Sequence, residues 1–326
     1  MPAVKANVKE FELKLGPATR EAFGKALVEV GRKNPNVVTL DADLSKSTYT
    51  AGFAKEFPDR FVECGIAESN MIAIAAGLAS GGKIPFASSF SVFAMNKGFE
   101  QLRVTAAFPN VNLKVVGTHS GISIGEDGPS QMSIEDLSLA CSLAGFTVLC
   151  PADENAMIQL MHAAVDHVGP MFIRAGRAKA AVIYDATQRF TIGKAITLVE
   201  GTDVTLMATG LMLAESIRAA QTLATEGISA RVVDMHTIRP LDRDAIADAA
   251  RATGAIVVSE EHLVDAGLGV RVAQVVSETK PVPMEFVGIH NTYAESGTPE
   301  EILDKYGLVA RDVVAAARKV LARKGN

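Results

Sequence analysis

The chain contains little cysteine: its three cysteines, Cys64, Cys141 and Cys150, form no CxxC pair. A small, odd number of cysteines without such a pair provides neither a disulfide framework nor a zinc site. The first residues, MPAVKANVKEFELKLG, also lack the apolar segment that is typical of a secretory signal. We therefore expect buried, reduced thiols and predict a cytoplasmic protein.

The chain also lacks long apolar runs and an excess of positive charge. No run of about 18 apolar residues occurs, so we expect no membrane-spanning helix. Lysine and arginine number 32 against 37 aspartate and glutamate residues, which gives a formal net charge of -5. This balance argues against nucleic acid or an anionic membrane as a partner. Any anionic ligand would have to be bound by local arginine, lysine or backbone N–H groups.

Apolar residues, in contrast, are plentiful enough for two hydrophobic cores. The chain has 326 residues, 48% of them hydrophobic, and single cores seldom extend beyond about 250–300 residues. Apolar strand patterns alternate with amphipathic helix patterns, which predicts parallel sheets covered by helices. We predict an α/β protein of two doubly wound domains, over residues 1–185 and 194–326. The pattern thins out between Lys179 and Gly193, where we place the linker.

The same patterns give local predictions. Residues 1–15 are mixed and charged and are expected to form an arm or an edge segment. Pro17 is expected to open the first helix, because proline suits a first helical turn. A long amphipathic helix is expected around residues 94–107, and a single strand over ISARVVDMHT (228–237).

The segment RFVECGIAESNMIAIAAG (60–77) places a carboxylate between a strand and an apolar helix. Glu68 follows a predicted strand from Phe61 to Cys64 and a turn at Gly65. Open α/β sheets bind ligands beyond the carboxyl ends of their strands, which makes Glu68 a candidate catalytic residue. Taken alone, this position also suits an acidic residue that only interacts favourably with the helix dipole.

The segment HSGISIGEDGPSQ (119–131) is the second candidate for a functional element. It follows a buried strand, so its polar residues are expected at the same sheet edge as Glu68. His119, Asp127 and Gln131 would direct hydrogen-bonding groups into a pocket there. An ordinary long loop is the alternative, but a loop of about a dozen residues is uncommon in a compact domain unless it is functional.

Two aromatic residues lie at and just beyond the end of the strand IPFASSF. Phe90 and Phe93, next to Ser88, could form a flat apolar slot for a heterocycle beyond the strand end. Core packing is the alternative explanation for either phenylalanine alone.

Three polar residues that are far apart in the sequence lie at the starts or ends of predicted elements. Arg20, Ser47 and Arg177 could all face the same sheet edge, where a phosphate group would need donors of this kind. Each of them, taken singly, also suits a solvated surface position.

These segments together resemble the pyrimidine-binding domain of transketolases. The resemblance rests on Glu68 in CGIAESNM, on FASSFSVF and above all on THSGISIGEDGPSQM. It continues through FIRAGR, VVDMHTIRPLD, VVSEEH and SGTPEEILDKYGL into a transketolase-type C-terminal domain. The resemblance implies a pyrimidine-binding domain over 1–185 and a transketolase C-terminal domain over 194–326.

The diphosphate-binding domain of the family, with its GDG…N-type metal motif, has no counterpart in this sequence. The resemblance therefore implies one subunit of a split transketolase, which works with a separate diphosphate-binding subunit in an α2β2 assembly. The implied cofactor is thiamine diphosphate, with Mg²⁺ or Ca²⁺ held by the partner subunit and no metal ligand on this chain. Sugar phosphates are the implied substrates.

The resemblance also implies which residues contact the cofactor. Phe90 and Phe93 would flank the aminopyrimidine ring of thiamine diphosphate, and Ser88 would belong to the same site. Glu68 would hydrogen-bond N1′ of this ring. Chemistry agrees with that role, because a carboxyl group buried among apolar side chains can stay protonated and act as a donor.

The substrate would be bound by the remaining candidates. The resemblance places Arg20, Ser47 and Arg177 on the substrate phosphate, and His119 and Asp127 on the sugar hydroxyl groups. The reaction implied is the transfer of a two-carbon ketol unit between sugar phosphates.

One position departs from the pattern of many transketolases. Gln131 stands where they have histidine, and a glutamine side chain forms hydrogen bonds but cannot transfer a proton. Proton transfer would then fall to His119, to the amino group of the cofactor or to a residue of the partner subunit.

Other functions stay open at this stage. The β subunit of a 2-oxoacid dehydrogenase shares the catalytic glutamate and the two-domain layout, but it would not need Arg20, Ser47 and Arg177 together. A 1-deoxyxylulose-5-phosphate synthase is normally one long chain. A non-catalytic partner that has kept the fold would be expected to lose Glu68 or the 119–131 loop, and both are intact.

Overall fold

The structure is a computed structural model that describes residue 8 and residues 11–324. Most of the expected N-terminal arm lies outside these described residues. Among the described helices, none is long and apolar enough to cross a membrane.

Fourteen strands form in the described part of the chain. In order they are β1 (Leu15–Ala18), β2 (Val37–Asp41), β3 (Phe61–Glu63), β4 (Ile84–Phe90), β5 (Lys114–Thr118), β6 (Thr147–Leu149), β7 (Met171–Arg174), β8 (Lys179–Ala181), β9 (Ile196–Val199), β10 (Val204–Ala208), β11 (Ala230–Asp234), β12 (Thr237–Arg239), β13 (Ile256–Leu263) and β14 (Met284–Ile289).

Helices alternate with these strands. They are α1 (Thr19–Lys33), α2 (Ser45–Thr48), α3 (Ala51–Glu56), α4 (Glu68–Ser80), α5 (Phe99–Gln101), α6 (Asp136–Ser142), α7 (Glu154–Asp166), α8 (Met212–Thr225), α9 (Arg243–Thr253), α10 (Leu268–Thr279), α11 (Pro299–Lys305) and α12 (Ala310–Lys324). Short 3₁₀ turns occur at Pro58–Arg60 and Gly125–Asp127.

Two twisted sheets organise the chain, as the alternating pattern predicted. The first has seven strands in the order β12-β6-β7-β5-β4-β2-β3, and all its pairings are parallel except the one at β12. The second has the order β14-β13-β10-β11-β9, with β9 antiparallel at one edge. The α/β fold class is therefore confirmed. Loops after β2, β4, β5 and β7 all leave the carboxyl edge of the first sheet.

The expected single strand over 228–237 was wrong. The segment divides into β11, in the second sheet, and β12, which crosses to the edge of the first sheet and pairs antiparallel with β6. The backbone of Cys150 donates a hydrogen bond to His236 O (2.9 Å), so the crossing point is itself bound to the first domain. The two sheets are thus connected by backbone pairing as well as by side chains.

The predicted helix start at Pro17 was also wrong. Pro17 lies in β1, which pairs antiparallel with β8. The first helix begins at Thr19, because Ala18 is extended and its N–H faces the Glu21 carboxylate (3.4 Å). Strand β8 lies at the start of the segment that the sequence pattern assigned to the linker.

The helical segment after β4 is not the continuous α-helix that the pattern predicted around residues 94–107. Two π-helical turns, Phe93–Lys97 and Leu102–Ala107, flank the single turn α5. A π-helical turn is wider than an α-helical one and is frequent at functional sites. Here one such turn carries Phe93 and Lys97, and Lys97 contacts the start of α4.

One apolar core crosses the boundary between the two sheets. It joins buried side chains of the first domain with those of the second, including Leu137, Phe146, Val148, Met207, Val233, Ile238, Ile256 and Val258. Burial of apolar surface stabilises proteins by roughly 25 cal/mol per Å². This shared core therefore holds the second sheet in a fixed position beside the first.

Candidate active site

Glu68 is the first residue of α4, and its carboxylate is almost completely buried, with 3% of the residue exposed. Its Oε2 atom lies 3.3 Å from Lys97 Nζ. The hydroxyl group of the next residue, Ser69, donates to Lys97 O (2.6 Å). The start of α4 is therefore bound to the π-helical turn after β4 by both the side chain and the backbone of Lys97.

An aromatic cluster continues this contact. The ammonium group of Lys97 lies 4.8 Å from the ring centroid of Phe93, which is stacked on Phe90 with centroids 5.7 Å apart and planes 8° from parallel. The imidazole of His119 stacks on Phe90 at 3.7 Å. A third ring between two parallel rings needs about 7 Å, two contact distances of about 3.5 Å. No third ring fits between Phe90 and Phe93 here, and the half-buried Phe93 offers the more accessible face.

His119 directly follows β5 in a left-handed backbone conformation, with φ of 57°. Its Nε2 atom lies 3.0 Å from Arg20 Nη1, and its Nδ1 atom lies 2.9 Å from Thr118 Oγ1. A guanidinium group can only donate, so Nε2 must be the unprotonated acceptor. The proton of the neutral ring is then on Nδ1, which donates to Thr118.

Burial, together with the positive charges of Arg20 and Arg177, lowers the pKa of His119 to about 3. The ring is therefore neutral at physiological pH, and its Nε2 atom presents a lone pair rather than a proton. The one lone pair of Nε2 is already engaged by Arg20, so His119 can accept a hydrogen bond from a hydroxyl group only in exchange for that contact. A neutral ring of this kind does not supply the proton donor that is needed because Gln131 cannot transfer a proton.

Arg20 stands at the start of α1 and bridges three elements. Its Nη1 atom also donates to Ser47 O (2.8 Å), and its guanidinium carbon lies 5.3 Å from the ring centroid of Tyr49. Its buried Nε–H finds no acceptor among the described residues. Burial lowers the pKa of Arg20, and the charge of Arg177 acts in the same direction. Arginine stays protonated even so, and the carboxylates of Glu21 and Asp127 act on its charge from a distance rather than through a hydrogen bond.

Arg177 follows β7 and reaches the 119–131 loop. Its Nη1 atom donates to Ile124 O (2.8 Å) and to Glu126 Oε2 (2.7 Å). Two guanidinium groups thus lie near the same neutral imidazole. Clustered guanidinium groups of this kind suit the planar, bidentate recognition of an anion.

The turn that carries Ser47 is shaped by Asp41, the last residue of β2. Its buried carboxylate accepts hydrogen bonds from Leu44 N (2.7 Å), Thr48 Oγ1 (2.6 Å) and Thr50 Oγ1 (2.8 Å). Burial raises the pKa of Asp41 to about 6 despite these donors. The sequence analysis missed this role of Asp41, for which the nearby threonines were the available signal.

The remaining predicted residues are placed less centrally. Asp127 lies exposed in the 3₁₀ turn of the 119–131 loop, and Gln131 Oε1 accepts from the Ser130 hydroxyl group. Ser88 is fully buried, and its hydroxyl group donates to Val116 O (3.2 Å) on the neighbouring strand. Contacts connect Glu68, through Lys97, to the aromatic cluster, His119 and Arg20, and the charge of Arg177 acts on the same imidazole. The roles of all the predicted site residues stay predictions.

A second set of buried charged groups lies behind this edge, at the seam between the domains. Arg174 Nε donates to Asp136 Oδ2 (2.9 Å), and Arg174 Nη2 donates to Glu261 O (2.9 Å). The Glu261 carboxylate accepts from Ser123 N (2.6 Å). A Cβ atom on Gly121 would lie 2.2 Å from that carboxylate, so the loop can approach it only with glycine at this position. Sequence reasoning did not find this network.

Burial by itself would raise the pKa of Asp136, but the charge of Arg174 and the hydrogen bonds donated to the carboxylate outweigh it. The pKa of Asp136 therefore lies below its ordinary value. Elsewhere along the seam, Tyr184 donates its hydroxyl proton to Asp234 Oδ2 (2.6 Å), and burial raises the pKa of Asp234 to about 8.

Within residues 8 and 11–324, no three His, Cys, Asp or Glu side chains are grouped to hold a metal ion. The candidate site offers an aromatic face, a buried carboxylate and guanidinium groups. This chemistry suits a heterocycle and an anion.

Comparisons with known proteins agree with this description. A family model described as "Transketolase, pyrimidine binding domain" matches residues 16–181, and one described as "Transketolase, C-terminal domain" matches residues 193–313. The two matches follow the order of the two sheets.

Two relatives illustrate the range of similar proteins. A Clostridium sp. (strain MSTE9) protein named 6-deoxy-6-sulfo-D-fructose transketolase subunit SqwH is 39% identical over 96% of this chain and 98% of its own length. The transketolase of Homo sapiens is 40% identical over 94% of this chain but only 49% of its own length. The chain thus spans about half the length of the human relative.

A solved structure described as a split gene transketolase, inactive beta4 tetramer, is 48% identical and superimposes with a TM-score of 0.89. The match covers 95% of this chain and all of that one. A transketolase from Leishmania mexicana, at 21% identity and a TM-score of 0.81, supports the fold alone.

Proposed function

This chain belongs to the transketolase family, and we propose that it is the pyrimidine-binding and C-terminal subunit of a two-component transketolase. One observation carries the proposal. Arg20 and Arg177 flank the neutral His119, and this anion-binding group is continuous with the aromatic cluster and with Glu68. The site therefore combines a place for a heterocycle with a place for a phosphorylated sugar.

The residues present fit the pyrimidine half of thiamine diphosphate. A buried carboxyl group at a helix start, beside an accessible phenylalanine face, is suited to hold and hydrogen-bond a flat nitrogen heterocycle. When bound, thiamine diphosphate supplies the electron sink that makes carbon–carbon cleavage of a ketose possible. Glu68 would hold N1′ of its aminopyrimidine ring, and Phe93 would pack against that ring.

The chain's own residues would then bind and orient the sugar. His119 Nε2 would exchange its hydrogen bond from Arg20 for one from a substrate hydroxyl group, which would free the guanidinium group for the anion, with Asp127 as a second hydroxyl ligand. Arg20, Arg177 and Ser47 would bind the terminal anion. Gln131 would orient the substrate by hydrogen bonds, and the proton transfer that it cannot perform would belong to the cofactor or to the partner subunit.

The partner would supply what this site does not contain. A divalent metal ion, Mg²⁺ or Ca²⁺, needs oxygen ligands such as carboxylates, and among the described residues no three His, Cys, Asp or Glu side chains are grouped to hold one. We therefore propose an α2β2 assembly in the cytoplasm, in which a diphosphate-binding subunit closes the site.

The two arginines favour this enzyme over the β subunit of a 2-oxoacid dehydrogenase, whose substrates have no distal phosphate.

The identity of the terminal anion has a second candidate. The Clostridium relative is named for a sulfonated fructose, and a sulfonate is a tetrahedral anion that guanidinium groups also bind. Glu126 already pairs with Arg177 here, which leaves less net positive charge for a dianion. Parallel assays with 6-phosphorylated and 6-sulfonated ketoses of the same carbon skeleton would separate the two candidates.

The experiment that tests the proposed function is reconstitution. The chain is assayed alone and with its cognate diphosphate-binding subunit, with thiamine diphosphate and Mg²⁺, against a panel of ketose phosphates and aldose acceptors. We expect ketol transfer only from the complex. Full transfer by the isolated chain, or none by a complex that binds the cofactor, would contradict the two-component transketolase.

A further inference from the structure

A buried serine lies inside the turn that carries the aromatic cluster. Ser91 stands between Phe90 and Phe93 and is completely buried. Its hydroxyl group donates to Asp136 Oδ2 at 2.7 Å. This bond is the buried polar link between the turn and α6, which belongs to a different part of the first domain; an exposed bond from Asn96 Nδ2 to Glu135 Oε1 (2.7 Å) lies beside it. It therefore fixes where the chain leaves β4.

Asp136 is held in place from several sides. Its Oδ2 atom accepts from both Ser91 and Arg174 Nε, and its Oδ1 atom accepts from Leu137 N (2.9 Å). His262 Nε2, on the second domain, lies 3.9 Å from Oδ1. A buried carboxylate with this many partners has one orientation, and whatever it binds is oriented with it.

The second domain enters the same network through Arg174. Its Nη2 atom donates to Ser133 O (3.2 Å) and to Glu261 O (2.9 Å), so one guanidinium group connects α6, the segment between the 119–131 loop and α6, and β13. The position of Asp136 is therefore set by both domains. The mechanism described above uses none of these groups.

We propose that Asp136, acting through Ser91, is a positioning residue that holds the aromatic turn in its cofactor-binding geometry. The bond orients the π-helical turn that begins at Phe93, and with it Lys97, whose ammonium group lies beside Glu68. The C-terminal domain thereby influences the pyrimidine site without touching it. The consequence for cofactor binding rests on the proposed function, whereas the consequence for the turn does not.

The test compares two buried serines of one network. Ser91→Ala removes the hydroxyl group that Asp136 binds. Ser133→Ala is the matched control, because the Ser133 hydroxyl is equally buried and has no hydrogen-bond partner among the described residues. Ser91→Cys keeps the shape of the side chain with a weaker donor and should lie between wild type and Ser91→Ala.

Three quantities are measured on each variant. Hydrogen exchange of the 90–98 segment is followed in the full chain. In the reconstituted complex, equilibrium dialysis gives the Kd of thiamine diphosphate, and steady-state assays give the KM of the phosphorylated acceptor. For Ser91→Ala we expect faster exchange in 90–98 and about tenfold weaker cofactor binding, the scale of one lost hydrogen bond to a charged acceptor. The KM of the acceptor should not change, because Arg20 and Arg177 lie on other elements.

Each other outcome has a definite meaning. Unchanged exchange and an unchanged Kd in Ser91→Ala would overturn the positioning role, as would equal effects from Ser133→Ala. Equal loss of cofactor and acceptor binding would indicate general loosening and would also overturn it. If the wild-type complex does not bind thiamine diphosphate, the proposed function fails. Faster exchange of the 90–98 segment in Ser91→Ala would then show only a structural role for Asp136, and the inference about cofactor binding would be overturned.

Discussion

The mouth of the candidate site, formed by Arg20, Arg177 and His119, and the seam between the domains both contain buried charged groups. The two regions differ in the hydrogen-bond partners that these charged groups have. In the seam, Arg174 has a carboxylate and two carbonyl oxygens as partners, and Asp136 accepts three hydrogen bonds. At the mouth, Arg20 has only a carbonyl oxygen and a neutral imidazole as polar partners in the described chain, and a second guanidinium group lies nearby.

This difference distinguishes charged groups that stabilise the fold from charged groups that are available to bind a ligand. A buried ion pair that keeps all its hydrogen bonds strongly resists removal of one partner. Like charges that are held together destabilise the chain and are retained where they bind something. Changes at the mouth should therefore reduce activity more than stability, and changes in the seam should do the opposite.

The largest expected effect is at Glu68. Glu68→Gln in the reconstituted complex should slow exchange of the C2 proton of thiamine diphosphate by about 10²–10⁴-fold, the range seen for acid–base groups. The thermal midpoint should change little, because glutamine has almost the same shape. Glu63→Gln, on the preceding strand, is the control, since Glu63 only accepts from backbone N–H groups. An unchanged exchange rate would remove Glu68 from its proposed role.

In the seam, the largest effect should come from breaking the ion pair. Arg174→Met leaves the Asp136 carboxylate buried without its counter-ion, and we expect the free energy of unfolding to fall by about 3–5 kcal/mol. Urea denaturation of the full chain measures it. The double variant Arg174→Met with Asp136→Leu should recover a large part of this loss. Equal instability of both variants would show that the pairing itself is not what matters.

At the mouth, Arg177→Ala should weaken anionic substrates selectively. We expect kcat/KM for a phosphorylated acceptor to fall by about 10–100-fold, since a charged hydrogen bond contributes about 1.5–3 kcal/mol. An unphosphorylated acceptor should lose little, and the free energy of unfolding should hardly change because this arginine is partly exposed. Equal losses on both acceptors would show that Arg177 does not bind the phosphate.

The sequence was sufficient for the fold class because strand and helix periods alternate so regularly, and it singled out the arginines, His119 and the phenylalanines. It could not predict the crossing of β12, because a continuous apolar pattern does not show that a chain bends between two sheets. Nor could it predict the π-helical turns, which preserve helical composition while changing the direction of each side chain.

Lys97 and Asp136 were missed for a related reason. Lys97 reaches Glu68 from the end of a π-helical turn, and a lysine in a helical pattern is ordinarily a solvated residue. Asp136 resembles any acidic residue at a helix start, and its buried partners come from elements distant in sequence. Both roles depend on tertiary contacts, to which a local pattern gives no access.

The smallest expected effect is at Asp234. It tests whether the other buried charged groups of the seam have partners as complete as those of Arg174. The pKa of Asp234 is raised by burial to about 8, so the folded chain binds this proton more tightly than the unfolded chain does. Stability should then fall as pH rises from about 4 towards 8, by about 1 kcal/mol between pH 6 and pH 7. Asp234→Asn, which keeps the bond from Tyr184 but has no proton to lose, should flatten this dependence in urea titrations. A variant with the slope of the wild type would mean that Asp234 is ionised and solvated, and that the seam, like the mouth, tolerates an unpaired charge.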